Sequence, residues 1–163
     1  MNIKYNILRP RQRVFDLGCS PGGWSQVAVE LTKSKEKRER VFGIDLLSTE
    51  KVPGALFLEG DITNEEHISE LRLLANMKKA DVLVSDIAPN FVGSLEVDFL
   101  SISELNLNCV SLAQKLLKPG GNFVMKTLNG GDEANYFVRN SRFRLKTEFD
   151  FFDFFRIFTK ISL

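Results

Sequence analysis

The chain is 163 residues long, 44% hydrophobic and 26% charged, ordinary proportions for one globular domain with a core of its own. A formal net charge of +1 excludes a uniformly basic nucleic-acid binder, so any polyanion site must be a local patch. No apolar run is long enough to span a membrane, and a single histidine, His67, with only Cys19 and Cys109 beside it, excludes His-dependent triads, clustered metal sites and a disulfide frame.

The first thirteen residues carry Lys4, Arg9, Arg11 and Arg13 and no acid. An apolar strand follows so soon that a cleavable import peptide has no room, and residues 1–12 read as a basic arm lying beside a site. Arg13–Asp16 is the first predicted strand, followed by a Gly/Pro/Ser turn and a helix over Gly23–Lys33 with Trp24, Val27, Ala28 and Leu31 on one face. Ser34–Arg40 is a charged connector, read as a solvated turn. Val41–Asp45 and Ala55–Leu58 are the next strands. A helix over Asn64–Met77 then follows, capped by Thr63 or Asn64, with His67 on its exposed start. Asp81–Ser85 is the fourth strand and Asp98–Leu117 a long helix, which Lys118-Pro119-Gly120-Gly121 stops before a fifth strand over Asn122–Lys126. Asp132–Arg139 is a last short helix.

Strands and helices that alternate over short connections predict an α/β, doubly wound, mostly parallel sheet in a single domain spanning residues 1–163. Residues 143–163 differ in character, since half of the 14 phenylalanines fall between Phe143 and Phe158. An antiparallel hairpin on the sheet edge is the favoured reading. A poorly folded, aggregation-prone tail is the competing one.

Ligands in such sheets sit beyond the carboxyl ends of the strands. The turn after the first strand, Gly18-Cys19-Ser20-Pro21-Gly22-Gly23, places glycines where backbone must approach a ligand. Ser20 stands where a dinucleotide fingerprint needs its second glycine, so a ligand without a pyrophosphate fits better. The strands end in or near Asp16, Asp45, Asp86 and Lys126, and the third leads to Asp61. One acid at a strand end is commonly a cap. Four acids and a lysine converging on one rim beside the glycine turn form a much stronger signal. Asp45 is placed to accept from a ribose diol, and Asp61 to receive the exocyclic amine of an adenine. Lys126 is either a general base, once desolvated, or one half of a structural ion pair with Asp86, and spacing leaves both open.

The run Asp16-Leu17-Gly18-Cys19-Ser20-Pro21-Gly22-Gly23-Trp24-Ser25-Gln26 resembles the S-adenosylmethionine-binding motif of the FtsJ/RrmJ family of RNA 2′-O-ribose methyltransferases. Gly43-Ile44-Asp45, Gly60-Asp61-Ile62-Thr63, Ser85-Asp86-Ile87-Ala88-Pro89-Asn90 and Leu117-Lys118-Pro119-Gly120-Gly121 with Lys126 are similar to that family's later motifs, in its order. The resemblance implies a Rossmann-like methyltransferase fold and S-adenosylmethionine as cofactor. It implies that Gly22, Trp24, Asp45, Asp61 and Asp86 contact the cofactor, with Asp16 and Gly18 in the same motif. It also implies that Lys126 is catalytic, with Asp86 a second member of a Lys-Asp-Lys-Glu tetrad. No metal is expected.

Leu8-Arg9-Pro10, Trp24–Glu30 and Gly43–Leu47 look most like the mitochondrial branch, which implies a uridine of large-subunit rRNA as target and the mitochondrion as location, with the cytoplasm as alternative. RNA is the expected partner, bound by a monomer with Lys4, Arg9, Arg11 and Arg13 as candidate phosphate contacts.

Two departures stand out. The family's Ser-Arg-x-x-x-Lys-Leu helix with the first tetrad lysine has no counterpart before the first strand, and no Ser-x-Glu-x-Tyr segment follows Lys126, with Glu148 the nearest acid. The chain is therefore expected to be truncated at its N-terminus and divergent at its C-terminus. The alternative function is a catalytically impaired, cofactor-binding RNA-binding or ribosome-assembly factor, or a truncated product. A dinucleotide oxidoreductase is disfavoured by Ser20.

Overall fold

The computed structural model describes residues 6–36, 38–88 and 92–126, together with the backbone of the strands Arg144–Glu148 and Phe155–Ser162. The predicted helix over Asp132–Arg139 lies outside the described residues.

Five parallel strands form the frame: β1 (Val14–Leu17), β2 (Val41–Asp45), β3 (Ala55–Glu59), β4 (Ala80–Ser85) and β5 (Leu117–Lys126). Three helices connect them: α1 (Gly23–Thr32), α2 (Glu65–Leu74) and α3 (Leu95–Leu116). Strands β6 (Arg144–Glu148) and β7 (Phe155–Ser162) pair antiparallel, and β7 pairs antiparallel with β5, which puts a hairpin on the sheet edge. The order among the described residues is β3-β2-β1-β4-β5-β7-β6. This is a doubly wound sheet whose winding reverses between β1 and β4, the place where such sheets open a crevice at their carboxyl ends.

Both faces of the parallel strands are buried, as their near-continuous apolar runs require. Alternation along each strand sorts the side chains by size. Phe15, Leu17, Phe42, Ile44, Leu83, Phe123 and Met125 face Ile68 and Leu71 of α2 and Cys109, Leu112 and Leu116 of α3. Val14, Val41, Val82, Val84 and Val124 gather on the other face with Ala28 and Trp24 of α1 and with Ile7 and Leu8 of the arm. The bulky layer lies under two helices, and the valine layer lies under α1.

Local chemistry sets the element ends. Asn64, not Thr63, caps α2, its side chain accepting from the Glu66 N–H at 2.8 Å, and Glu65 and Glu66 complement the positive end of the helix dipole. Lys118-Pro119-Gly120-Gly121 does not form a turn before β5; it runs as part of the strand. The register slips between Ala80–Leu117 and Val82–Asn122, and that irregularity absorbs the proline and the glycines. Helix α3 starts three residues ahead of the expected Asp98. The Asp98 carboxylate accepts from the Val92 and Gly93 N–H groups at 2.7 and 3.0 Å, which ties down the entry to the helix. Among the described residues no helix is long and apolar enough to cross a membrane.

The arm needs a correction. It was expected beside the ligand site, but it feeds β1 from the amino end, so the residues just before Val14 must lie on the rim opposite the carboxyl ends. Arg13 is held there, its N–H donating to Asp81 Oδ2 at 2.6 Å and its guanidinium to the Lys79 carbonyl at 3.3 Å. Arg11 donates its N–H to the Thr32 carbonyl at the end of α1.

Candidate functional site

The carboxyl ends of β1, β2, β3 and β4 enclose a cavity of about 360 Å³. Gly18 and Ser20 come from the first loop, Asp45, Leu46 and Leu47 from the end of β2, and Gly60, Asp61 and Ile62 from the end of β3. Asp86, Ile87 and Ala88 follow β4, and Leu105 reaches in from α3. Three of the expected acids, Asp45, Asp61 and Asp86, thus line one cavity.

Each acid is positioned by its own loop. Asp45 Oδ2 accepts the Ser20 N–H and Oδ1 the Leu47 N–H, both at 2.9 Å, so one carboxylate holds the glycine loop and the turn after β2 together. Asp61 Oδ1 accepts both the Thr63 N–H and the Thr63 hydroxyl at 2.8 Å. Those bonds hold its carboxyl below the usual carboxylate range. His67 was expected on an exposed helix start. It is instead half-buried, and its Nδ1 accepts the Asp61 N–H at 2.9 Å. A Cβ on Gly60 would meet the His67 ring at 3.0 Å, so the glycine and the histidine fit each other.

The first loop needs its glycines. Gly18 has φ +76°, and a Cβ there would sit 2.5 Å from Ile87 Cγ1, inside the cavity wall. Gly22 has φ +119° and caps α1 without a side-chain bond.

Three sequence-derived contacts are not part of the cavity lining. Asp16 is fully buried on the valine face, where Ser25 of α1 donates to its Oδ2 at 2.6 Å, and a side chain with no exposed surface cannot touch a ligand. Burial, with Asp86 and Asp45 adding repulsion, pushes its carboxyl up to about 7 against the opposing effect of the Ser25 bond. Trp24 packs in the valine layer, because it opens α1 on the side that meets the sheet. Gly22 is buried behind the loop. These residues shape the cavity from behind.

Strands β4 and β5 are neighbours, with Ser85 opposite Met125, so the next residue along each strand also meets its counterpart. Lys126 Nζ lies 2.8 Å from Asp86 Oδ1, with the side chains 38% and 27% exposed. That leaves the pair reachable by a substrate. Cys19, by contrast, is chemically quiet: burial pushes its thiol up to about 12, well above the range of a reactive thiolate. Both cysteines are buried free thiols.

The residues that sequence reasoning missed are apolar. Leu46 and Leu47 are 69% and 67% exposed at the cavity mouth, and Ile62, Ile87 and Leu105 continue the apolar wall. Two leucines directly after an acid-terminated strand, with no partner spacing, were the available signal. With three carboxylates, an apolar wall and no cation among the described lining residues, the donor set suits a ligand carrying a positive charge, a diol and a flat base. A polyphosphate would face three carboxylates there.

The FtsJ-like methyltransferase family model matches residues 1–152. The chain belongs to the FtsJ-like methyltransferase family. Among relatives of this FtsJ-like chain, the ribosomal RNA large subunit methyltransferase E of Bartonella bacilliformis is 41% identical over 135 residues, covering 83% of this chain and 56% of the relative. The protein of the same name from Pseudomonas fluorescens is 37% identical over 127 residues, covering 78% and 59%. The chain thus spans a little over half the length of the curated relatives it matches. A solved structure from Plasmodium falciparum, described as a ribosomal RNA methyltransferase, superposes with a TM-score of 0.83 at 25% identity, covering 99% of this chain and 92% of that one. Aeropyrum pernix fibrillarin, solved with natively bound S-adenosyl-L-methionine, shares the fold at a TM-score of 0.62 and 16% identity, over 94% of this chain and 68% of that one. The FtsJ-like fold is therefore the Rossmann-like methyltransferase fold.

Proposed function

We propose that this chain is an S-adenosylmethionine-dependent RNA 2′-O-ribose methyltransferase that acts on large-subunit rRNA. The observation that carries the reading is the Lys126–Asp86 pair at 2.8 Å, set on adjacent strand ends beside a cavity walled by carboxylates and leucines. Asp45 and Asp61 suit a ribose diol and an adenine amine, while Leu46, Leu47 and Ile87 suit the flat base. The cofactor supplies a methyl group on a cationic sulfonium, and the acidic rim favours that charge before transfer.

The chain's own task is positioning. Lys126, oriented by Asp86, holds the 2′-hydroxyl in line with the methyl carbon. When bound, the cofactor would supply the methyl carbon with its sulfur as the leaving atom, and the hydroxyl proton would pass to Lys126 in its neutral amine form. Resemblance at Leu8-Arg9-Pro10, Trp24–Glu30 and Gly43–Leu47 supports the narrower reading of a uridine target and a mitochondrial location.

Methyl transfer from radiolabelled S-adenosylmethionine to rRNA tests the reading. Lys126→Ala is expected to lower the rate by about 10²–10⁴-fold while cofactor affinity stays within a few-fold of wild type. Wild-type protein that binds the cofactor tightly yet transfers nothing would replace the enzyme with a cofactor-binding RNA factor. Label found on a base instead of the ribose would sink the 2′-O assignment.

A further inference from the structure

A second cavity, of about 660 Å³, lies at the opposite rim of the sheet, lined by Pro10, Arg11, Lys33, Lys35, Arg38 and Arg40. Five of its six lining residues are cationic and none is acidic. In a chain with net charge +1, such a concentration is a local positive patch of the kind that meets an anion. The positive charge that suits the carboxyl end of α1 accounts for Lys33 alone.

The connector that carries these cations is built, and the expectation of a plain solvated turn needs revision. Ser34 is buried, its hydroxyl donating to the Gly54 carbonyl at 2.6 Å and accepting the Arg40 N–H at 2.7 Å. Lys35 and Arg38 close a tight bridge, with the Arg38 N–H donating to the Lys35 carbonyl at 3.0 Å. The Arg40 guanidinium donates to the Arg11 carbonyl at 2.7 Å, which joins the arm to the connector. Of the connector's two acids neither lines the cavity, and Glu36 stands 3.8 Å from Lys51. Bonds at Ser34, Lys35, Arg38 and Arg40 therefore gather the cations before any ligand arrives, which cuts the ordering cost of binding.

We propose that this basic cavity is a second phosphate site, taking backbone phosphates of an RNA strand that reaches from the acidic rim to the far side of the sheet. It rests on the reading that the chain acts on RNA. The acidic cavity repels phosphate, so the energy of holding a polyanion must come from elsewhere on the surface, and this is the described cavity equipped to supply it. The site lies on the opposite rim from Lys126 and takes no part in the chemistry. Its role is affinity and register.

The test is a charge reversal at exposed positions, Lys35→Glu with Arg38→Glu, and a milder Lys33→Gln with Lys35→Gln pair should the first fold poorly. Binding of a short fluorescein-labelled RNA hairpin is followed by anisotropy across a salt series, beside calorimetry with S-adenosylmethionine and sedimentation with phosphatidylserine vesicles. The double reversal is expected to weaken RNA binding about tenfold and to lower the magnitude of the log–log salt slope by about 1.4–1.8, with cofactor affinity unchanged. An unchanged RNA affinity and slope overturns the site, as does a loss seen with vesicles alone. Methyl transfer with an unaltered slope overturns the site and spares the function. RNA binding that depends on these cations without methyl transfer supports the site and sinks the function.

Discussion

The two rims of one sheet carry opposite charge. At the carboxyl ends stand Asp45, Asp61 and Asp86; at the amino ends stand Arg11, Arg13, Lys33, Lys35, Arg38 and Arg40. In a parallel sheet every residue just before a strand goes to one rim and every residue just after it to the other, so polarity along the chain becomes polarity across the molecule. Arg13-Val14-Phe15-Asp16 and Arg40-Val41-Phe42-Gly43-Ile44-Asp45 each run from cation to acid. A net charge of +1 hides this entirely. Lys126 is a cation at the acidic rim, as Asp81 is an acid at the basic one, and it stands against Asp86 where the proposed chemistry needs it.

The largest effect expected at the acidic rim is on stability. Asp16 titrates near 7 in the folded protein, because burial raises it first and Asp86 and Asp45 add to the rise. Its unfolded value is about 3.9, so between pH 4 and pH 7 the folded state binds the extra proton. Stability from this group is full below pH 4 and is lost as pH rises through 7, a change on the order of 4 kcal/mol at a slope of about 1.4 kcal/mol per pH unit. Asp16→Asn keeps an acceptor for Ser25 and removes the titration. Urea melts at several pH values should show the slope in wild type and its absence in the variant. Equal slopes would mean that burial does not raise the Asp16 carboxyl.

A smaller effect is expected from Gly18→Ala. The added methyl would meet Ile87 Cγ1 at 2.5 Å on a backbone with φ +76°, so strain and overpacking together should cost about 3 kcal/mol and close the cavity. Gly23→Ala, where a Cβ would meet nothing within 4 Å, is the matched control. Thermal melts and cofactor calorimetry should separate the two. Equal behaviour would show that the loop is softer than its geometry.

Four of the five parallel strands and the acid at each strand end were legible because period, length and termination agreed with one another there. β5 was misjudged at its start, since Pro-Gly-Gly is ordinarily a stop and only pairing with Ala80 and Val82 turns it into strand. The motif places Trp24 beside the loop, while its packing with the valine layer depends on how α1 settles on the sheet. His67 carried no pattern at all; its bond to Asp61 exists because β3 delivers the loop to the first turn of α2. The charged connector was visible, but the cavity it forms with the arm was not. Lys33, Lys35, Arg38 and Arg40 share one charged run in which Glu36 and Glu39 are interleaved, and Arg11 joins them only once the arm, α1 and β2 share a rim.

The smallest expected effect tests whether the two rims are independent. Ser34→Ala removes a buried hydroxyl that serves the Gly54 carbonyl and the Arg40 N–H, leaving both to find other partners at a cost of about 1 kcal/mol. The connector would loosen without losing a single charge. If the cations act through fixed placement, the RNA salt slope keeps its value, because the same charges remain, while affinity falls about threefold from the ordering that must now accompany binding. Cofactor affinity should not move, since no residue of the acidic cavity contacts Ser34 through the bonds described. A drop in cofactor affinity would show that the rims communicate through β2, the strand that begins just after Arg40 and ends in Asp45, and the comparison would then be of two ends of one lever.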